Sequence, residues 1–188
     1  MKSGKKIEIR KKIKVNLNDY QDAHLKHGCN GKFKLGFSIN GYYEGSALGP
    51  VLVPCLLMVE CPKCGAVHYV SSFTDILDQI IATNLVTSKQ LLSKKHIKFL
   101  RQYFDMTQEE MGKLLKVDRF EISKMELFGQ ARVMSPEKQI IMKMKFAKIL
   151  KIKDVESLYE MTDYEDKEVE IKEDWFPTKS ELKDKVAA

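Results

Sequence analysis

Cys61 and Cys64 stand in the run Cys61-Pro62-Lys63-Cys64-Gly65. Proline sets the turn, glycine permits the tight backbone, and both sulfurs can then face one metal ion, the form of a zinc knuckle. Two thiolates are half of a tetrahedral site. The best third ligand is Cys29 and the best fourth is His27, with His24 as its alternative; all three lie in the polar stretch from Asp22 to Gly31. That places the second arm about thirty residues upstream, a usual separation for the arms of a zinc ribbon. Cys55, between Val53 and Leu57, reads as an inert core thiol. His68, in an apolar strand, reads as a core histidine. No βαβ pattern surrounds Cys61 and Cys64, which argues against redox chemistry. The expected cofactor is a structural zinc ion.

A second set of residues is polar and basic. From Lys89 to Lys153 there are 16 Lys or Arg against 7 Asp or Glu, a net of +9 within a chain of net +6. The first 17 residues carry 7 basic side chains and one Glu. Such a segment is the electrostatic footprint of a polyanion partner. From Asp154 to Ala188 the balance reverses to 5 against 12. No apolar run of the 188 residues approaches the ~20 needed to span a bilayer. The N-terminus leads into no apolar signal region, so the expected location is cytoplasmic, where thiols stay reduced.

The elements that would position these residues differ between the two halves. Ile7, Ile9, Ile13, Val15 and Leu17 fall on one parity, a half-buried strand. Phe33 to Ile39 and Tyr42-Tyr43 read as short strands around a hairpin turn at Asn40-Gly41. Pro50 to Glu60 is a further strand, and Val67 to Val70 its return. From Ser72 the period becomes helical: Thr74 can cap a helix carrying Ile76, Leu77, Ile80 and Ile81. Helix then continues to Leu150.

Within that half the local signals are dense. Ser93 can cap a helix with Ile97, Leu100 and Tyr103 or Phe104 inward. Thr107 with Glu110 has capping-box spacing and opens a short helix ending near Leu115. Gly112 is small where two helices must approach. Lys116-Val117 is a tight connection. Asp118 caps the next helix, with Ile122 and Met125 inward and Arg119, Phe120, Ser123 and Lys124 on the outer face. Ser135 and Pro136 start a last helix. A short helix, a tight turn and a second helix with a polar-basic outer face fit a DNA major groove.

Thr107-Gln108-Glu109-Glu110-Met111-Gly112, Val117-Asp118-Arg119 and Ile122-Ser123-Lys124-Met125-Glu126 resemble the Xre/Cro family of phage and bacterial repressors. The likeness covers about 60 residues, with caps, small residue and turn in register. It implies that Arg119, Phe120, Ser123 and Lys124 read bases and that Thr107 and Gln108 anchor a phosphate. Arg119 would pair with guanine. Glu121 departs from the pattern and is expected to point away.

The order of parts, Cys-x-x-Cys-Gly, linking helix, then this domain, resembles the MqsA-type antitoxins, which join a YgiT-type zinc finger to a C-terminal helix-turn-helix. Cys61 to Gly65 and Ser93 to Glu126 carry that resemblance; the rest matches in order and spacing only. It implies a homodimer that represses its own operon on double-stranded DNA and neutralises a toxin, often an RNA-cleaving protein. Two departures are the mixed His and Cys arm and the acidic extension. The alternative is a phage-type Xre-family regulator with no toxin partner. With no phosphate-cradling glycine loop and no nucleophile–base pair, an enzyme is not expected. The expected fold is α+β: a small N-terminal β-rich, zinc-ribbon-like module (1–71), linking helices (72–92), an all-α, lambda-repressor-like helix-turn-helix domain (93–153) and an acidic, partly ordered tail (154–188) anchored by Trp175-Phe176.

Overall fold

The computed structural model describes residues 13–25, 28–44, 48–127, 134–153, 165–168 and 170–187, with the backbone alone at 22–25, 165–168 and 187. It is a mixed α+β chain with a three-stranded antiparallel sheet and seven helices among those residues. They fall into two compact units: the first takes the described residues of 1–45, 49–80 and 172–188, the second those of 46–48 and 81–171. Among the described residues no helix is long and apolar enough to cross a membrane.

The first unit is built on β2 (Lys34–Tyr43), β3 (Val51–Glu60) and β4 (Val67–Tyr69), in the order β2-β3-β4. The central strand follows the period of two: Val51, Val53, Cys55, Leu57 and Val59 are all buried. Pro54 interrupts no ladder on the β4 side, because β4 pairs only with Met58 to Glu60.

The hairpin expected at Asn40-Gly41 is not formed. β2 runs straight through it, with Ile39 opposite Cys55 and Gly41 opposite Val53. Asn40 takes φ +52, a left-handed backbone that asparagine tolerates better than most residues. A Cβ on Gly41 would stand 2.5 Å from a methyl carbon of Leu56, so the glycine leaves room for that buried side chain. The turn signal marks a kink within a strand, and the chain reverses between Tyr43 and Val51 instead.

The N-terminal expectation also changes. Residues 1–12, with Ile7 and Ile9, lie outside the described residues. A two-residue strand, β1 (Ile13–Lys14), leads into a helix, α1 (Leu17–Leu25), where a strand end and a polar loop were expected. Asn16 starts that helix: its Oδ1 accepts from the Asn18 N–H and its Nδ2 donates to Asp19.

The acidic C-terminal segment is not a separate tail over its last residues. A 3₁₀ turn (Glu173–Trp175), α7 (Lys179–Lys183) and β7 (Val186–Ala187) belong to the first unit, with β7 parallel to β1. Trp175, Phe176 and Leu182 are buried there together with Phe73, Leu77 and Ile80 of α2 (Ser71–Thr87). Lys179 lies over the ring of Phe37, 5.8 Å from its centre.

The second unit carries α3 (Lys94–Tyr103), α4 (Gln108–Leu115), α5 (Arg119–Glu126) and α6 (Pro136–Ile149). A short strand, β5 (Gln90–Leu91), pairs in parallel with β6 (Glu165–Glu168), so this stretch is not all helix. Ile97, Leu100, Met111, Leu115, Ile122, Met142 and Phe146 form its core, and Phe104 stacks on Phe146 at 4.3 Å. Two buried polar side chains of α6 hold the approach to α3. Gln139 Oε1 accepts from Leu92 N–H at 2.7 Å, and Lys143 Nζ donates to the Ser88 and Gln90 carbonyls at 2.8 and 2.6 Å. Burial lowers the Lys143 pKa to about 7.

Candidate functional site

The α4–α5 pair is held by its caps. Thr107 and Glu110 form a reciprocal capping box: the Thr107 N–H donates to Glu110 Oε2 at 2.7 Å, and the Glu110 N–H donates to Thr107 Oγ1 at 3.1 Å. Those bonds keep the Glu110 carboxyl below its ordinary range. Asp118 Oδ1 accepts from the Phe120 N–H at 2.6 Å and starts α5. Between the helices Lys116 takes φ +56, and Val117 N–H returns to the Gly112 carbonyl at 3.0 Å. A Cβ on Gly112 would lie 2.8 Å from the Val117 carbonyl oxygen, so the turn closes this tightly only over a glycine. Sequence spacing anticipated a close approach here; the approaching group is the turn backbone.

Arg119, Phe120 and Lys124 are exposed on α5, and Ser123 is half-buried. Phe120 is 67% exposed, unusual for so large an apolar ring, and the Arg119 guanidinium lies 5.7 Å from its centre. Glu121 is turned to Lys138 of α6, 3.4 Å away. Thr107 is exposed at the start of α4, its hydroxyl bonded to Glu110. Glu109 and Glu110 complement the helix dipole in this first turn, and Glu109 pairs with Lys113 at 2.7 Å.

Sequence spacing missed one residue of this region. Met125 was expected inward, but it is half-buried while Glu126 is buried. The Glu126 carboxylate takes Arg101 Nε at 2.6 Å and Nη2 at 2.9 Å, and Gln108 Nε2 at 3.1 Å. Arg101 also donates to the Met106 carbonyl at 2.8 Å. The Arg101–Glu126 pair thus ties α3, the loop before α4, the first residue of α4 and the end of α5. The Gln108 bond uses one of the two hydrogens on its side-chain amide. An acid three residues past Ser123 carries no marker of burial in the sequence; its partner Arg101 lies 25 positions away.

The cysteines converge in the first unit. The sulfurs of Cys29, Cys61 and Cys64 lie within 4.8 Å of one another, close enough to hold a metal ion. Cys29 comes after α1, Cys61 directly after β3, and Cys64 in the loop between β3 and β4. That loop is drawn shut by Cys61 N–H to the Ala66 carbonyl at 2.9 Å and Gly65 N–H to the Cys61 carbonyl at 2.8 Å, with Gly65 at φ +74. Backbone amides point at two of the sulfurs: Gly31 N–H at Cys29, 3.4 Å, and Ala66 N–H at Cys64. The Ala66 amide favours the Cys64 thiolate, but desolvation and the neighbouring sulfurs outweigh it and hold the thiol above its ordinary range. Three thiols suit a soft or borderline ion.

Among the described residues no His, Asp or Glu joins this cluster. His27 lies outside the described residues, as does the side chain of His24. His68 is exposed rather than core; its ring meets Phe33 at 5.4 Å and Tyr20 at 6.1 Å. Cys55 is a buried core thiol as expected, its pKa raised by burial.

Comparison of the chain with protein-family models, curated proteins and solved structures finds no match.

Proposed function

We propose that this chain is a sequence-specific DNA-binding repressor in which α4, the Lys116–Asp118 turn and α5 form a helix-turn-helix. The observation that carries the reading is the glycine-closed turn between two capped helices, with Arg119, Phe120 and Lys124 exposed on the second. In this reading α5 enters the major groove, Arg119, Phe120, Ser123 and Lys124 meet base edges, and Thr107 and Gln108 meet the phosphate backbone. The Glu121–Lys138 pair supports keeping Glu121 off the bases. Net charge +9 between Lys89 and Lys153 supports a polyanion partner.

The first unit is then a zinc-ribbon-like module, with zinc on Cys29, Cys61 and Cys64. The whole is a homodimer, as two-fold operators require, and serves as the cytoplasmic antitoxin of a toxin–antitoxin pair. It has no catalytic role. DNase footprinting on the DNA upstream of its own gene tests the first claim: protection by the wild type, lost in an Arg119→Ala/Lys124→Ala double variant with unchanged circular dichroism, is expected. Equal protection by both proteins would remove the assignment of α5. Co-purification with the product of the adjacent gene tests the antitoxin role.

A further inference from the structure

The packing around the three cysteines is uneven. Gly31 is pressed onto the cluster: a Cβ there would stand 2.5 Å from Cys61 Sγ, 2.8 Å from the Lys63 Cβ and 3.4 Å from Cys29 Sγ. Gly31 is also locked in place, its N–H on Cys29 Sγ and its carbonyl accepting from Gln21 Nε2 at 3.0 Å. Backbone therefore closes the flank formed by Cys29 and Cys61. Cys61 is fully buried, Cys29 is exposed at its chain neighbours but itself only half-buried, and Cys64 is exposed between exposed Lys63 and Gly65. Structural zinc sites are closed by four protein ligands, whereas a site with three protein ligands keeps a position for water or an incoming group.

We infer that Cys29, Cys61 and Cys64 form a three-thiolate site for a thiophilic metal ion, with the fourth coordination position open to solvent beside Cys64. The inference rests on the metal reading above and goes beyond it by taking no fourth ligand from the protein; among the described residues none joins the three sulfurs. On binding, each thiol S–H bond is replaced by a sulfur–metal bond and the proton passes to solvent; no electron is transferred. An open position lets water, a small thiol or imidazole coordinate and helps the ion exchange. The site thus responds to metal supply and braces the β3–β4 loop only while it is loaded. Soft ions such as cadmium should compete with zinc there, since all donors among the described residues are sulfur.

The test uses the full chain, reduced and metal-free. Cadmium is titrated while the ultraviolet thiolate-to-metal charge-transfer band is read, and zinc affinity is measured against a chromophoric chelator. Expected are one ion per chain, loss of about a third of the band in each of Cys29→Ser, Cys61→Ser and Cys64→Ser, and no change in Cys55→Ser. His24→Ala and His27→Ala should keep zinc affinity well within the ~10-fold loss that removal of even a supporting partner brings. Added imidazole should shift the spectrum. A loss of ~10-fold or more in either His variant overturns the open position and leaves the metal reading standing. No uptake of either ion overturns both.

Discussion

Arg101 and Glu126 form a two-pronged ion pair in the second unit, Nε to Oε1 at 2.6 Å and Nη2 to Oε2 at 2.9 Å, with side chains only 13% and 5% exposed. Parallel N–H donors meeting a carboxylate are the strongest geometry such a pair adopts. Breaking one side leaves a buried charge without its counterpart. Arg101→Met or Glu126→Leu should each destabilise the fold by about 3–5 kcal/mol, while the double variant should lose much less. Denaturant unfolding of the three variants measures this; additive losses would show that the two residues act separately.

Gly112→Ala places a methyl group 2.8 Å from the Val117 carbonyl oxygen, a backbone atom that cannot rotate away. The turn must open, at about 1–3 kcal/mol as for other overpacked sites. If α5 reads an operator as proposed, that turn aims it, and operator affinity should fall by more than the loss of folded protein explains. Gel shifts at matched folded concentration would detect the difference. An alanine variant with wild-type stability and binding would show the turn to be tolerant.

In the proposed reading, Arg119→Ala should lower operator affinity by about one to two orders of magnitude and relax preference at one base pair, as loss of a two-pronged guanine contact does. Gln108→Ala should weaken binding to all sequences alike. Binding to a panel of single-base operator variants separates the two behaviours; a Gln108→Ala variant with altered base preference would reverse the assignment.

His96 makes the second unit sensitive to acid. Its Nδ1 accepts from the Ser93 N–H at 3.2 Å, completing the capping box of α3, so the folded chain needs this nitrogen unprotonated. Burial first, then the charges of Lys143 and Lys95, lowers its pKa from 6.5 to about 4. The unfolded chain therefore binds the proton more readily, and stability falls as pH drops from about 6.5 to about 4. The loss from this residue is on the order of 3 kcal/mol. His96→Gln keeps an N3 acceptor without titrating. Its stability should decline less than the wild type across that interval, and parallel curves would exclude His96 as the source.

Cys61→Ser with Cys64→Ser should leave the second unit folded and loosen the first. Hydrogen exchange should rise in β2, β3 and β4 and stay unchanged in α3 to α6 if the ion braces the loop. Uniform protection in the zinc-loaded wild type and the double variant would show that the sheet stands on its apolar core alone.

Four helix starts and the α4–α5 turn were readable from the chain because their physics is local, whereas α2 begins at Ser71, with the expected cap Thr74 inside it and its hydroxyl donating to the Ser71 carbonyl. Ser93, Thr107, Asp118 and Pro136 act within three or four positions of themselves, and each lies at the helix start expected of it. The exposed set Arg119, Phe120 and Lys124 comes directly from the helical period once Asp118 is the cap. Asn16 with Asp19 was a signal of the same kind, masked by the apolar alternation that precedes it. Burial of Glu126 in place of Met125 depended on Arg101 reaching it from another helix. Asn40-Gly41 stayed within a strand because β3 continues the ladder on both sides, a pairing energy that a dipeptide does not encode. Trp175 and Phe176 were legible as anchors, but their place in the N-terminal unit was not, since β1 and β7 meet across almost the whole chain. Likewise Cys61-x-x-Cys64 announced half a metal site, and its third sulfur rested on residue type and a spacing of about thirty residues. Only the packing of Gly31 between α1 and the β3–β4 loop brings Cys29 to it, because contacts that span tens of residues arise from the closing of the core and leave no periodic trace along the chain.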